Sequence, residues 1–147
     1  MTVPDFGLLE VGEIVASSSY TVSRADLVRY AGASLDFNPI HWNERFAREV
    51  GLDGVIAHGM FTMGTAVNVV VDWAEDPARV VDYQVRFTRP VPVADAANGS
   101  PEQPTATIDV EAKVGALDQE NRVARIDLRV SVDGATVLAK SQAKVRL

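Results

Sequence analysis

The spacing of apolar residues changes near the middle of the chain. From Val80 onward apolar and polar residues alternate, which is typical of strands that cover a core with one face. The alternating runs are 81–87, 108–114, 124–132 and 137–145. The residues predicted to face the core are Val81, Tyr83, Val85 and Phe87 in the first run and Val137, Ala139, Ser141, Ala143 and Val145, all apolar except Ser141, in the last. With a strand predicted at 14–22 and a hairpin turn at Asp133-Gly134, the pattern indicates an antiparallel sheet of about five strands.

The first half of the chain carries helix signals instead. Ser23, with Asp26 three residues later, forms a capping-box pattern, and Gly32 is the predicted end of that first helix. A second, short helix is predicted between an N-cap at Asn43 and a terminating Gly51.

The third helix is predicted to be long and central. It runs from His58 or Gly59 to Trp73, and because it is apolar on nearly every side we expect it to be buried. Three consecutive valines at 69–71 would also suit a strand. A buried helix followed by antiparallel strands predicts an α+β domain in which a curved sheet wraps round one long central helix, the hot-dog fold.

Length and sheet edges predict how the chain is organised. Its 147 residues favour a single domain, 1–147. Segment 94–104, rich in Gly, Pro, Asn and Ser, is predicted to be a flexible loop. Because a curved open sheet leaves an edge that can pair with another copy, we expect a homodimer or a heterodimer with a related subunit.

Composition excludes several classes of function. The chain has no cysteine, so disulfides, thiolate nucleophiles and cysteine-based metal sites are excluded. A net charge of −6 argues against nucleic acid binding, which depends on clustered Lys and Arg. Met1–Asp5 lacks the basic and apolar regions of a signal peptide, and no apolar stretch is long enough to span a membrane. We therefore expect a cytoplasmic protein.

The segment Asp36-Phe37-Asn38-Pro39-Ile40-His41 holds one of only two histidines. The Asn-Pro turn can fold the segment so that the carboxylate of Asp36 and the imidazole of His41 face one cavity. Such a pair can polarise a shared water, one group taking its proton and the other orienting or delivering one. The structural alternative is that Asp36 caps a turn and His41 is a core histidine with a satisfied hydrogen bond.

The second histidine precedes the predicted central helix, in Ala57-His58-Gly59-Met60. At a helix start the amide of Gly59 lacks an intrahelical partner and could stabilise a developing enolate oxygen, although a packing role alone would also suit a glycine there. His58 could line the site, hold a loop through a backbone hydrogen bond or lie in a subunit interface. Asp36, His41 and His58 show no recurrent metal-ligand spacing, so we expect no metal.

Taken together, Asp36-x-Asn38-Pro39-x-His41, Ile56-Ala57-His58-Gly59-Met60 and Arg86-Phe87-Thr88-Arg89-Pro90-Val91 resemble the signature motifs of the MaoC-like dehydratases, also called R-specific enoyl-thioester hydratases. The likeness covers nearly the whole chain. The run from Asp26 to Gly64 also resembles the catalytic B subunits of the mycobacterial-type (3R)-hydroxyacyl-acyl-carrier-protein dehydratases.

The resemblance implies a reaction and roles for five residues. The reaction is reversible syn hydration of a trans-2-enoyl thioester, carried by CoA or an acyl-carrier protein, to a (3R)-3-hydroxyacyl thioester in fatty-acid metabolism, with no cofactor. Asp36 and His41 would be the catalytic pair, and Gly59 would supply the oxyanion amide. Asn38 would position the loop or the water, and His58 is a further candidate for substrate binding.

One departure from the family pattern lies after the third motif. Relatives commonly have Gly-Asp where this chain has Ala94-Asp95, which puts the geometry of the following loop in question but not the catalytic pair. Two other functions remain open: a non-catalytic hot-dog subunit that binds acyl chains and stabilises a partner, and a hot-dog thioesterase.

Overall fold

The computed structural model of the chain describes residues 3–147, so Met1 and Thr2 lie outside the described residues. Its helices are α1 (Arg24–Ser34), α2 (Glu44–Glu49) and α3 (Gly59–Ala74). Its strands are β1 (Ile14–Val22), β2 (Val80–Phe87), β3 (Ala106–Asp118), β4 (Val123–Val132) and β5 (Ala135–Arg146). All pairings are antiparallel and the sheet order is β1-β3-β4-β5-β2, which leaves β1 and β2 as edges.

The long helix α3 lies against this sheet and contacts all five strands. Its sheet-facing residues Thr62, Ala66, Val69, Val70 and Ala74 are buried. The predicted hot-dog arrangement is thereby confirmed, and the valines at 69–71 are helical. The prediction that α3 is buried on every side is wrong for the single chain, because residues four apart, Met60, Gly64, Asn68 and Asp72, are exposed.

The predicted alternation holds through β3 and β4. Their inward residues are buried and form most of the core: Ile108, Val110, Ala112, Val114, Ala124, Ile126, Leu128, Val130 and Val132. In β5 the alternation changes phase, since Leu138 is buried whereas Ala139 is only half-buried. Lys140 there has a φ of 47°, and the register to β4 shifts between Leu128 and Val130. The prediction that Ala139 faces the core is therefore wrong, because a bulge in β5 shifts the alternation there.

Edge strand β2 also departs from strict alternation. Val81 and Phe87 are 44% and 52% exposed, so the prediction that both face the core is wrong. The register to β5 shifts between Val80 and Asp82 and again between Gln84 and Arg86, which rotates the strand locally.

The cap residues behave largely as predicted. Ser23 and Asp26 form the reciprocal capping box of α1, Asn43 caps α2 through the amide of Phe46, and Gly51 follows α2 with a φ of 91°. Helix α1 passes through Gly32, however, and continues to Ser34, with Leu35 as its C-cap at a φ of 62°. The predicted end at Gly32 is therefore wrong, because an isolated glycine is tolerated inside a helix.

The remaining turns and loops complete the fold. Asp133 and Gly134 both have positive φ, as the predicted two-residue hairpin requires. The loop 94–104 forms no helix or strand, but it is fastened to α1 by the amide of Ala25, which donates to the carbonyl of Pro101 at 2.9 Å. Over residues 3–147, the helices are too short or too polar to cross a bilayer.

Candidate active site

The loop that carries Asp36 and His41 is held by its own side chains. The amide of Asn38 donates to Oδ1 of Asp36 at 3.2 Å, and the side-chain oxygen of Asn38 accepts from the amide of Ile40 at 3.3 Å. Asn38 thereby caps a short 3₁₀ helix, Pro39–His41, in which proline takes the first position. The Asn-Pro turn thus bends the chain back so that His41 enters the interior while Asp36 remains exposed.

His41 is 7% exposed, and its Nδ1 lies 2.8 Å from the carbonyl oxygen of Ile56. Because a carbonyl oxygen can only accept, Nδ1 carries the proton and a neutral ring presents the lone pair of Nε2. Burial lowers the pKa of His41 below its ordinary value, aided by His58 and opposed by the Ile56 hydrogen bond and by the charge of Asp36. At neutral pH the ring is therefore uncharged and able to act as a base.

His58 lies beneath this loop and is 1% exposed. Its Nε2 is 3.0 Å from the carbonyl oxygen of Asp36, and its ring stacks on that of His41 with centroids 3.8 Å apart. The ring of Tyr30 meets it edge-on at 4.8 Å. Its Nδ1 is buried and has no hydrogen-bond partner among residues 3–147. Of the roles considered for His58, these contacts match that of holding a loop through a backbone hydrogen bond.

The structure brings one side-chain ligand atom each from Asp36, His41 and His58 within 4.8 Å of one another. The ring arrangement does not suit a shared metal ion. The two imidazole planes are inclined by only 24° with centroids 3.8 Å apart, and imidazole lone pairs lie in the ring plane, so the two lone pairs lie in separate, nearly parallel planes. They cannot converge on one ion at the roughly 2.0–2.1 Å that a metal–imidazole bond requires.

Gly59 begins α3 directly after His58, where first-turn amides have no intrahelical acceptor. It lines a cleft of about 300 Å³ together with His41, Thr62, Phe87, Arg89 and Leu138. The ring of Phe87 lies so close that a Cβ at position 59 would be 3.1 Å from its Cε1. A side chain at position 59 would therefore require the Phe87 ring to move by a few tenths of an ångström.

Several groups of the site were missed by sequence reasoning. The carbonyl of Ile56, which sets the tautomer of His41, is a backbone group with no signal of its own. Thr62 lines the cleft and could have been found from its position one helical turn after Gly59. Phe87 was assigned to the core because the bulges of β2 cannot be read from alternation.

Comparison with known proteins places this arrangement in a family. Residues 10–123 match the model of the MaoC like domain. A 3-hydroxybutyryl-CoA dehydratase of Methylorubrum extorquens is 32% identical over 133 residues, which cover 88% of this chain and 76% of the relative. An (R)-specific enoyl-CoA hydratase of Rhodospirillum rubrum is 33% identical over 100 residues, which cover 67% of this chain and 65% of the relative.

A solved structure is similar to this chain in both fold and sequence. A solved MaoC-like dehydratase superposes with a TM-score of 0.88 and 34% identity, over 99% of this chain and 42% of that one. This chain therefore matches just under two thirds of the Rhodospirillum hydratase and less than half of the solved dehydratase. The match over residues 10–123, together with the identity to the Methylorubrum dehydratase, shows that the chain belongs to the MaoC-like domain family.

Proposed function

We propose that this protein catalyses the reversible addition of water to a trans-2-enoyl thioester, giving a (3R)-3-hydroxyacyl thioester. The observation that carries the proposal has two parts: His41, with Nδ1 hydrogen-bonded and Nε2 available, lines one cleft together with Gly59, and a carboxylate oxygen of Asp36 lies within 4.8 Å of a ring nitrogen of His41. The names of the Methylorubrum and Rhodospirillum relatives, a dehydratase and a hydratase of CoA thioesters, support it.

In the hydration direction, Asp36 orients a water that also faces His41. Nε2 of His41 takes one proton as the water oxygen bonds to C3, and the electrons of the double bond move onto the thioester oxygen as an enolate. The proton is then delivered to C2, so that one molecule of water has been added. Dehydration runs through the same steps in reverse.

The enolate is the high-energy species, and the Gly59 amide is placed to stabilise it. A helix-start amide needs no reorganisation to receive the developing charge, and one such donor is typically worth about 10²–10³ in rate. Asn38 and His58 hold the Asp36 loop from its two sides, through the Ile40 amide and the Asp36 carbonyl. None of these steps requires a metal or an organic cofactor.

We also propose that the chain acts as a single domain and assembles through β2. This edge strand exposes Val81 and Phe87, and pairing with a second copy or a related subunit would cover both. Because Phe87 lies against Gly59, such a partner would border the cleft. We further propose CoA or an acyl-carrier protein as the substrate carrier and the cytoplasm as the location.

The test is to follow loss of the enoyl absorbance of crotonyl-CoA and of a longer trans-2-enoyl-CoA. We expect turnover by the wild type, loss of turnover in Asp36→Asn and in His41→Ala with the fold retained, and a (3R) product. Asp53→Asn makes the same charge change at an exposed loop carboxylate and should keep full activity.

Other outcomes would point to the other functions. Release of free CoA thiol would identify a thioesterase. No turnover together with retained binding of acyl thioesters would identify a non-catalytic subunit, and near wild-type activity in Asp36→Asn would contradict the assigned roles. The ratio of rates on the two substrates would measure how long an acyl chain the cleft accepts.

A further inference from the structure

Glu44, in α2, accepts hydrogen bonds from three directions. Its carboxylate receives Nη2 of Arg24 at 2.5 Å, Nη2 of Arg48 at 3.0 Å and the backbone amide of Val55 at 3.3 Å. Partial burial acts to raise the pKa of Glu44, but these donors hold it below its ordinary value. The side chains of Arg24 and Glu44 are only 13% and 33% exposed, so this ion pair is largely shielded from solvent.

Arg24, at the start of α1, joins this carboxylate to another segment. Its Nε donates to the carbonyl oxygen of Val93, and its Nη1 lies 3.2 Å from Oδ1 of Asp95. The amide of Val93 in turn donates to the carbonyl of Val55 at 3.0 Å. The Arg24–Glu44 ion pair therefore holds both partners of a short backbone pairing, one through Val93 and the other through the amide of Val55.

This pairing leads directly to the active site. Ile56 follows Val55, and its carbonyl is the acceptor for the Nδ1 proton of His41 at 2.8 Å. The amide of Ile56 donates to the carbonyl of Ile40 at 3.2 Å, so Ile56 is tied twice to the loop of His41. A displacement of about 1 Å at Val55 would move the Ile56 carbonyl oxygen outside hydrogen-bonding distance of Nδ1. Either ring nitrogen of His41 could then carry the proton.

We propose that Arg24 and Glu44 are positioning residues for His41. Their ion pair holds residues 55–57 where the Ile56 carbonyl selects the Nδ1-protonated tautomer and leaves Nε2 free as the base. Neither side chain lines the cleft, so both act through the backbone. The use of Nε2 rests on the proposed hydratase function, whereas the tautomer is a property of the folded protein that can be measured without any substrate.

Gly54 allows the carboxylate to be moved without being removed. A Cβ at Gly54 would lie 2.7 Å from Oε1 of Glu44, and this end of a flexible side chain can shift at low cost. Gly54→Ala should therefore displace the carboxylate in a folded protein. Gly32→Ala is the matched control, because a Cβ there meets open space. Glu102→Gln, which removes an exposed partner of Arg29 on α1, controls for loss of an ion pair.

The decisive measurement is the nitrogen NMR spectrum of the histidine rings. The chain has two histidines, so His41→Gln assigns both ring spectra. At about pH 8, above the lowered pKa of His41, wild-type His41 should show the single Nδ1-protonated tautomer. Gly54→Ala and Glu44→Gln should show a mixture of tautomers, while Gly32→Ala and Glu102→Gln should match the wild type.

Kinetics on crotonyl-CoA complete the test. The two Glu44-directed variants should lower kcat about tenfold with KM changed by less than about twofold, because a misplaced base slows chemistry rather than binding. An unchanged tautomer in both variants would overturn the proposal, whether or not activity falls. A changed tautomer in a protein that hydrates no enoyl thioester would support the positioning role and refute the proposed reaction instead.

Discussion

The imidazole of His41 stacks on that of His58, with centroids 3.8 Å apart and planes inclined by 24°. Each ring donates a hydrogen bond from one N–H to a backbone carbonyl oxygen: His41 donates to Ile56, and His58 donates to Asp36. The stack therefore connects the segment that orients the base to the loop that carries the carboxylate. It also brings two titratable groups close enough that a proton on one disfavours a proton on the other.

The first prediction concerns the pH dependence of hydration. Because the pKa of His41 is lowered from its ordinary value of 6.5, chiefly by burial, the base stays neutral as the pH falls through that value. The acid limb of kcat/KM should therefore lie below pH 6.5. In His58→Gln the limb should move only part of the way back toward 6.5, since burial, the largest cause, remains. An acid limb above 6.5 in the wild type would show that another group titrates.

The same shift predicts how stability depends on pH. Below pH 6.5 the unfolded chain protonates His41 while the folded chain does not, so the unfolded state binds more protons. The free energy of unfolding should fall as the pH drops from 6.5 toward the lower folded pKa, and this contribution should level off beneath it. Urea denaturation at several pH values measures it. His41→Gln should weaken the dependence in this window, and an equally steep dependence in that variant would contradict the assignment to His41.

Where sequence patterns were periodic and local, they predicted the structure well. The alternation in β3 and β4, the capping box at Ser23 and the hairpin at Asp133-Gly134 each depend on neighbouring residues, whose preferences the tertiary structure does not override. The same holds for the Asn38-Pro39 turn, where a side-chain cap and a fixed φ act within a few residues.

The failures share a physical cause, which is dependence on distant contacts. Bulges in β2 and β5 expose Phe87 and bury Leu138, and such bulges arise from the pairing of the two strands rather than from either sequence. The Ile56 carbonyl reaches His41 across 15 positions of the chain, and backbone groups carry no residue-specific signal. Candidate chemistry could thus be read from the sequence, whereas the tautomer of His41 could not.

Gly59→Ala should reduce hydration without unfolding the protein. The new methyl group would meet the ring of Phe87 and narrow the approach to the amide that we propose as the donor to the thioester oxygen. We expect kcat/KM to fall by about 10²-fold, the scale of a lost oxyanion donor. Gly64→Ala, in the same helix with open space around its Cβ, should keep full activity and change stability by no more than about 1 kcal/mol. Equal activities of the two variants would contradict an oxyanion role for Gly59.

Val81→Asp should separate a dimer formed through β2. Val81 is 44% exposed on an edge strand, and an aspartate there would place a charge in the covered interface and at the same position of a second copy. Val28, which is 60% exposed on α1, provides the matched change in Val28→Asp. Sedimentation should find Val81→Asp at the monomer mass of 15.9 kDa, and the wild type and Val28→Asp at twice that mass.

The same variant also tests whether the monomer is less active than the dimer. Because Phe87 borders both the edge and the cleft, loss of the partner should free the Phe87 ring and lower kcat/KM. A Val81→Asp protein that sediments as a dimer would show that the chain associates through another surface. A fully active monomer would show that the cleft is complete within one chain.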